Sequence, residues 1–488
     1  MRVCKSMLFN SYVFMFLALP IFFSGYFLFN KFKKYTLAKV WLTLCSLFYY
    51  AYFNFAYLWI ILASIIINYF LNKMMRINKF VNNQMARKII CVTGLLFNIA
   101  ILFYYKYFDF MILNVNTFFG SDFIYMNLIL PLGISFFTFQ QLSYLIDSYK
   151  KTVPDYSFID YALFVTFFPQ LIAGPIVLHD EIIPQFADEK LKKIDFQNIA
   201  KGLMAFSFGL AKKIIIADNF GKIVDFEYSS IVGMSTIEAL FVILGYTIQI
   251  YFDFSGYCDM ASGIALLFNI KLPMNFNSPY RALDIVDFWK RWHMTLTRFL
   301  TKYVYIPLGG NRKGDIRTYI NIFLVFFVSG IWHGAGYTFI VWGIMHGIGN
   351  IITRFFRHLI EKVPKFIRWL VTFLFVNVTW VFFRATTLND AVNVLKSVFN
   401  GGVTIRDELA ETMRQPAILN VFMQFVDVVP TLVLFALISI FISVFCKNTN
   451  ERLEKFKPGF AMLVFSTAIL VYSVFSLSGI SSFLYYNF

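Results

Sequence analysis

The fold is decided by an apolar stretch that carries one histidine among small residues, Val325-Phe326-Phe327-Val328-Ser329-Gly330-Ile331-Trp332-His333-Gly334-Ala335-Gly336. An ionisable side chain inside a membrane span is costly, and it usually faces the interior of a helix bundle or a wet cavity. A helix from Arg317, the last cation before the stretch, to His333 would cover roughly 24 Å of a hydrocarbon core about 30 Å thick. His333 is therefore a candidate functional residue at membrane depth. The glycines beside it are expected to leave room for another chain or a ligand near the ring.

The composition of the whole chain indicates a membrane protein. Of its 488 residues, 59% are hydrophobic and 14% are charged, whereas soluble domains carry about 25% charged residues. The net charge of +16 is concentrated in short loops between apolar segments, as in the cytoplasmic loops of polytopic membrane proteins. We therefore expect an all-α polytopic integral membrane protein that binds no nucleic acid. Five cysteines without a C-x-x-C pair predict neither a disulfide framework nor a metal site.

Apolar segments alternate with basic loops along the chain. The segments lie near residues 8–30, 37–54, 56–72, 89–107, 128–146, 202–217, 236–270, 319–352, 370–383, 430–446 and 459–479. Because loops rich in Lys and Arg stay in the cytoplasm, the loop charges place both termini outside it. The first segment has no small-residue cleavage site, which indicates an uncleaved span. Residues 161–178 contain Pro169, Gly174 and Pro175 between two basic flanks, which predicts a re-entrant hairpin.

The segment from Lys271 to Arg317 is the least lipid-like part of the chain. Cations and aromatic residues are interleaved throughout it. This pattern predicts amphipathic helices that are partly sunk into the cytoplasmic face of the membrane.

Several motifs in the second half of the chain carry a family resemblance. They are YFDFSGYCDMASG at residues 251–263, NFNSPY at 275–280, DFWKRWH at 287–293, YIPLGGN at 305–311 and SGIWHG at 329–334. Together they resemble the membrane-bound O-acyltransferases (MBOAT), in the bacterial branch of alginate and peptidoglycan O-acetyltransferase membrane subunits. The resemblance runs along the whole chain and is densest over residues 165–350.

The resemblance implies the MBOAT fold, a ring of tilted transmembrane helices with re-entrant and cytoplasmic amphipathic helices. It implies one membrane domain over residues 1–488, with N-terminal spans at 1–160, a catalytic core at 161–350, and C-terminal spans with an extracytoplasmic tail at 351–488. It also implies a multi-pass protein of the bacterial inner membrane.

The resemblance assigns two catalytic histidines. It places the intramembrane histidine of the family at His333 and a second one, near the donor thioester, at His293; the alternative for His293 is an interfacial side chain facing lipid. Transfer from an activated thioester to a hydroxyl mainly requires a positioned base and an aligned donor, and burial favours a neutral imidazole that accepts a proton. Ser329 shares a helix face with His333 and is expected to orient its ring.

The implied acyl donor is cytoplasmic acetyl-CoA, without a metal. Cations of the amphipathic region are candidates for binding the phosphates of coenzyme A or, alternatively, anionic lipid headgroups. They are Arg281, Lys290, Arg291 and Arg298. Asp253, Asp259 and His346, which also lie in apolar segments, are expected to have structural roles.

The C-terminal tail is aromatic to its last residue. Phe483, Tyr485 and Phe488 form the pattern F-x-Y-x-x-F, which resembles the C-terminal motif of this branch, where the tyrosine is proposed to carry the acyl group. Tyr485 is therefore the third candidate catalytic residue. The alternative is an interfacial aromatic belt.

The expected function is acetyl transfer from cytoplasmic acetyl-CoA across the inner membrane, for O-acetylation of an extracytoplasmic polysaccharide. The expected partner is a secreted or periplasmic SGNH/esterase-like O-acetyltransferase, through which the acceptor is reached. Abundant Phe, Lys, Ile and Asn are typical of an AT-rich genome and favour peptidoglycan over alginate. The alternatives are D-alanyl transfer to teichoic acids and a membrane transporter or flippase, although no inverted repeat is visible in the sequence.

Overall fold

A computed structural model describes residues 7–414, 427–477 and 483–484. The secondary structure of these residues is helical, and none of them forms a strand. In these ranges seven helices are long and apolar enough to cross a membrane, namely Phe14–Lys31, Phe55–Met74, Gln84–Lys106, Thr236–Leu267, Asp315–His333, Lys365–Arg384 and Val428–Phe445. The prediction of an all-α polytopic membrane protein is confirmed.

The described residues form two compact units. Of the described residues, the first unit contains 7–206 and 260–273, and the second contains 207–259, 274–414, 427–477 and the tail residues Phe483 and Leu484. The helix Thr236–Leu267 therefore contributes residues to both units. The single domain inferred from the sequence stays a prediction.

The first unit is built from helices that follow the predicted apolar segments. Its helices are Phe14–Ala18 (a π-helix), Leu19–Lys31, Tyr35–Ala51, Leu58–Met74, Asn78–Val81, Gln84–Lys106, Phe108–Phe119, Ile134–Tyr149, Phe158–Thr166, Phe168–Leu171, His179–Ala187 and most of Phe196–Ala211. The segment predicted from residue 128 becomes helical only at Ile134. Pro131 and Gly133, which has φ +70°, precede that start, and a residue in the left-handed region cannot continue a right-handed helix.

A break in the chain follows the helix Phe158–Thr166. Phe167 leaves the helical conformation, the short helix Phe168–Leu171 follows, and the chain is non-helical again before His179. This irregular backbone is buried within the first unit, where protein surrounds it as membrane depth would require. The break lies within residues 161–178, which were predicted as a re-entrant hairpin, and the re-entrant path through a membrane stays a prediction.

The second unit is built from two groups of helices. The longer ones are the second-unit part of Thr236–Leu267, Asp315–His333, Tyr337–Phe355, Lys365–Arg384, Val428–Phe445 and Phe460–Phe475; the shorter ones are Lys212–Ala217 (a π-helix), Asp218–Ser229, Ile285–Trp289, Met294–Leu300, Thr301–Tyr305 (a π-helix), Arg357–Ile360, Leu388–Ser397, Asp407–Arg414 and Thr449–Glu454. The two helices Asp315–His333 and Tyr337–Phe355 form an antiparallel hairpin around the stretch that carries His333.

The hairpin is held tightly together by two glycines. A Cβ atom at Gly330 would lie 2.5 Å from the carbonyl oxygen of Phe339, and one at Gly343 would lie 2.6 Å from the carbonyl oxygen of Phe326. Small residues let helix backbones approach closely. Any side chain larger than hydrogen at these positions would therefore push apart the helix that ends in His333 and its partner.

The short helices between Lys271 and Arg317 have a buried aromatic side and an exposed basic side. The Asp284 side chain accepts a hydrogen bond from the Asp287 N–H at 2.7 Å, which begins the helix Ile285–Trp289 in the usual way. Trp292 and His293 are buried, whereas Lys290 is exposed. The amphipathic pattern is present, and its placement at a cytoplasmic membrane surface stays a prediction.

Candidate active site

His333 is the last residue of the helix Asp315–His333 and is 3% exposed. Three aromatic rings surround its imidazole, with centroid distances of 4.7 Å to Trp332, 5.0 Å to Trp342 and 5.2 Å to Phe383. These rings come from both helices of the hairpin and from Lys365–Arg384. The ring is therefore held in a largely apolar cage.

The glycines near His333 make room for the protein itself. A Cβ atom at Gly334 would lie 2.1 Å from the ring of Phe339. The expectation that these glycines leave space for another chain or a ligand is therefore wrong at Gly330 and Gly334, because Phe339 and the facing helix occupy that space.

Ser329 does not orient the imidazole as expected. Its hydroxyl is buried and has no hydrogen-bond partner among the described residues. The contacts of the His333 ring with Trp332, Trp342 and Phe383 do not involve the serine four residues earlier.

His293 is completely buried and lies outside the seven candidate spans. Its Nδ1 is 3.0 Å from the side-chain oxygen of Asn275, which also accepts hydrogen bonds from the Thr295 hydroxyl at 2.9 Å and the Thr295 N–H at 3.3 Å. Because an amide oxygen can only accept hydrogen bonds, the Asn275 oxygen also accepts from Nδ1 of His293. Nδ1 therefore carries the proton, and Nε2 is the basic nitrogen. Burial lowers the pKa of His293 to about 3, because desolvation disfavours the imidazolium.

The two candidate histidines contact the same indole. The ring of Trp332 lies 6.2 Å from the ring of His293 and 4.7 Å from that of His333. His293 also meets the ring of Phe254 edge to face at 4.9 Å. A completely buried ring does not face lipid, so the structure argues against an interfacial role for His293, whose ring shares the Trp332 indole with His333.

Two buried carboxylates of the helix Thr236–Leu267 are each paired with a lysine that the sequence reasoning did not single out. Lys213 Nζ lies 2.7 Å from Asp253 Oδ1, and Lys212 Nζ lies 2.6 Å from Asp259 Oδ2. The sequence could have indicated these pairs, because two adjacent lysines lie inside the apolar segment 202–217. Charged side chains at membrane depth require partners. Both aspartates accept hydrogen bonds, as expected, and their structural role stays a prediction.

Comparison with known proteins decides the family of this site. The family model of the membrane-bound O-acyltransferases matches residues 127–389, which include both histidines and both lysine–aspartate pairs. The chain belongs to the membrane-bound O-acyltransferase family. This confirms the resemblance drawn from the motifs and makes the protein an O-acyltransferase.

Relatives of this acyltransferase are named for three acceptor polymers. A peptidoglycan O-acetyltransferase of Helicobacter pylori is 43% identical over 99% of this chain and 98% of its own length. A probable alginate O-acetylase of Pseudomonas aeruginosa is 36% identical over 83% of this chain and 77% of its own length. A teichoic acid D-alanyltransferase of Bacillus subtilis is 29% identical over 50% of this chain and 63% of its own length.

The four cations predicted to bind coenzyme A lie in different environments. Arg281 donates to the carbonyl oxygens of Val444 and Cys446 and pairs with Glu451 at 3.4 Å, so its guanidinium fastens the end of the helix Val428–Phe445. Arg291 pairs with Asp287 at 2.8 Å. Lys290 is exposed and Arg298 is half-buried. Binding of a phosphate by these cations stays a prediction.

The predicted acyl carrier, Tyr485, lies outside the described residues, as do Tyr486 and Phe488. The structure does describe the two residues before it. Phe483 is 1% exposed and meets the ring of Tyr257 edge to face at 4.9 Å. The tail of the acyltransferase therefore enters the second unit directly before Tyr485.

The two remaining buried histidines are His346 in the second unit and His179 in the first. His346 Nδ1 accepts a hydrogen bond from the Trp289 indole at 3.1 Å, in line with its predicted structural role. In the first unit, His179 Nε2 lies 3.5 Å from Asp147 Oδ2. Across the described ranges, no three His, Cys, Asp or Glu side chains come together in a way that could hold a metal ion.

Replacing His293 with alanine is expected to lower the rate of acyl transfer at least tenfold, as for loss of a residue that aligns the acyl donor. The measurement compares acetyl-CoA binding and turnover in purified wild-type and His293→Ala protein. His358→Ala is the matched control, because His358 is an exposed histidine of the same unit. Unchanged donor binding and turnover in folded His293→Ala protein would show that the ring serves packing alone.

The low pKa of His293 also predicts a pH effect. Its value of about 3 lies below the unfolded value of about 6.5, so between these values the unfolded chain binds a proton that the folded chain does not. Stability is therefore expected to fall as pH falls below about 6.5. The melting temperature of His293→Asn, followed from pH 7 to pH 4, should decline less steeply than that of the wild type, whereas His358→Ala should follow the wild type. Identical slopes in all three proteins would contradict a neutral buried His293.

Proposed function

We propose that this acyltransferase passes an acetyl group from cytoplasmic acetyl-CoA across the bacterial inner membrane, for O-acetylation of an extracytoplasmic polysaccharide. The observation that carries the proposal is the pair of buried histidines, His333 and His293, that contact one indole. This site belongs to a chain that matches a peptidoglycan O-acetyltransferase over nearly the full length of both proteins.

His333 is proposed as the general base. Its cage excludes water from three sides, so a proton acceptor there acts on the hydroxyl brought to it rather than on solvent. The attacking oxygen forms a bond to the thioester carbonyl carbon, and the carbon–sulfur bond breaks. The hydroxyl proton passes to His333 and then to the departing thiolate of coenzyme A.

His293 is proposed to act at the donor side. The Asn275 oxygen fixes its Nδ1–H, so the neutral ring presents Nε2 as an acceptor. Such a ring is suited to orient the donor near the thioester. The exposed Lys290 and the half-buried Arg298 are proposed to bind the phosphates of coenzyme A.

Tyr485 is proposed to receive the acetyl group before it reaches the polysaccharide. A phenol, with a pKa of about 10, is far more acidic than a sugar alcohol, so an aryl ester transfers its acyl group more readily. Covalent catalysis of this kind divides one difficult transfer into two easier ones. The proposed recipient is the serine of a secreted or periplasmic SGNH/esterase-like partner, which then acetylates the polymer.

The orientation of the chain follows from its charges. Basic loops are proposed to face the cytoplasm and both termini to face outward, which puts coenzyme A and the tail on opposite sides. We favour peptidoglycan as the acceptor polymer because of how far the two matches extend. The match covers 98% of the Helicobacter pylori relative named for peptidoglycan, whereas it covers 77% of the probable alginate O-acetylase.

D-alanyl transfer to teichoic acids is the second candidate activity. The Bacillus subtilis D-alanyltransferase matches half of this chain at 29% identity. We favour acetylation because this chain carries the F-x-Y-x-x-F tail itself, whereas the D-alanylating members that it resembles rely on a separate small subunit for that tail.

The test uses purified full-length protein incubated with acetyl-CoA that is radiolabelled in the acetyl group. We expect thioester cleavage and covalent label on the protein, both requiring His333, with the exposed His358→Ala as the control that keeps them. A transporter or flippase would leave the thioester intact. Label from a D-alanyl thioester, with none from acetyl-CoA, would favour the second candidate activity.

A further inference from the structure

The tail of the chain contacts a buried ion pair that is distinct from the histidines. Lys213 and Asp253 are 3% and 2% exposed, and their charged atoms lie 2.7 Å apart. Lys213 Nζ is also 2.8 Å from Asp218 Oδ1. Burying charges is costly even when they are paired, so this cluster calls for a reason beyond stability.

Both members of the pair face the tail. The second carboxylate oxygen of Asp253, Oδ2, accepts a hydrogen bond from the main-chain N–H of Leu484 at 3.0 Å. Lys213 Nζ lies 4.6 Å from the centroid of the Phe483 ring, within the range of a cation–π contact. The carboxylate therefore binds the backbone of the tail and the ammonium binds its aromatic anchor.

The neighbouring ion pair does not have this arrangement. Lys212 pairs with Asp259 Oδ2 at 2.6 Å, and the same oxygen accepts a hydrogen bond from the Thr449 hydroxyl at 2.5 Å. Both lysines belong to one π-helix, Lys212–Ala217, and irregular helices of this kind are frequent at functional sites. One pair thus joins helices, while its neighbour receives the tail.

The site that receives the tail adjoins the candidate active site. Asp253 is followed in the helix Thr236–Leu267 by Phe254, whose ring meets His293 edge to face at 4.9 Å. The hydrogen bond from Leu484 is made by the main chain, so it fixes the register of the segment immediately before Tyr485.

We infer that Lys213 and Asp253 are positioning residues that dock the chain's own C-terminal segment in register for acylation of Tyr485. The inference rests on the proposed function, in which Tyr485 carries the acyl group. It adds a binding site for the tail that consists of one ion pair. Asp253 accepts the hydrogen bond from the Leu484 N–H, and Lys213 contacts the Phe483 ring.

The test changes the donor of one hydrogen bond and leaves the core intact. Leu484→Pro removes the N–H that Asp253 accepts, because proline has none, whereas Leu484→Ala keeps it. In full-length protein incubated with labelled acetyl-CoA, we expect Leu484→Pro to lower acetylation of Tyr485 by roughly ten- to a hundredfold, the range for a hydrogen bond to a charged group. We expect Leu484→Ala to stay within about twofold of the wild type, since it keeps that hydrogen bond.

The two ion pairs provide a second, matched comparison. We expect Lys213→Met/Asp253→Leu to lose acetylation of Tyr485 and to lose protection of the C-terminal peptide from amide hydrogen exchange. Lys212→Met/Asp259→Leu, which removes the neighbouring lysine–aspartate pair instead, should keep both. Asp253→Asn retains an acceptor oxygen for the Leu484 N–H. It should therefore keep part of the protection from hydrogen exchange that the double variant loses.

Hydrogen exchange separates this inference from the proposed function. A protected tail that loses protection in Leu484→Pro, but never carries acetyl in the wild type, would uphold the docking site and overturn the role of Tyr485. Acetylation of Tyr485 with equal exchange and equal rates in Leu484→Pro and Leu484→Ala would overturn the docking site and leave the proposed function standing.

Discussion

Replacing His333 with alanine is expected to reduce acetyl transfer by roughly a hundredfold or more, the range for loss of a general base, while the protein stays folded. The imidazole is enclosed by Trp332, Trp342 and Phe383, and these rings also contact one another or their neighbours. The packing of these three rings is therefore expected to persist when the imidazole is removed. Radiolabelled acetyl-CoA turnover measures the effect.

Two controls separate chemistry from packing at this position. His333→Gln retains a polar side chain of similar size and should be as inactive as His333→Ala, because an amide does not accept the proton as a base. The melting temperature of both variants, measured beside that of the exposed control His358→Ala, reports folding. Near-normal turnover in folded His333→Ala protein would remove this residue from the chemistry.

Replacing Tyr485 with phenylalanine is expected to abolish acetylation of the polysaccharide. The change removes only the phenol oxygen, which is the atom proposed to carry the acetyl group, and it keeps the aromatic ring. The measurement is O-acetyl content of the cell-wall polymer in cells that express the variant in place of the wild-type chain.

Tyr486 provides the matched control for Tyr485. It is the adjacent residue with the same side chain, so Tyr486→Phe should largely keep polymer acetylation. Equal loss in both variants would show that the tail needs two tyrosines or only a general aromatic character. Full acetylation in Tyr485→Phe cells would remove the tail from the mechanism.

The sequence predicted the helical class and the main spans because both depend on local properties. Long apolar segments and the positions of Pro169 and Gly174 act through the backbone near them in the chain, so their effects can be estimated without tertiary contacts. His333 was found in the same way, as an ionisable side chain in an apolar helix. His293 required the family resemblance, since nothing local shows that its ring is buried.

The contacts that position the site could not be predicted because they join residues far apart in the chain. Asn275 holds His293 across 18 residues, and Lys213 reaches Asp253 across 40 residues. Ser329 was expected to orient His333 from helix spacing alone, but its hydroxyl has no hydrogen-bond partner among the described residues. The space beside Gly334 was likewise misjudged, because the chain itself fills it with Phe339.

The most direct test of the proposed chemistry is mass spectrometry of the full-length protein after incubation with acetyl-CoA. Peptides from the wild-type protein should carry one acetyl group on Tyr485 and none on Tyr486, and His333→Ala protein should carry none at either position. Turnover of acetyl-CoA without any acetyl on the tail of the wild-type protein, or equal acetylation of Tyr485 in His333→Ala protein, would contradict acyl transfer through His333 to this tyrosine.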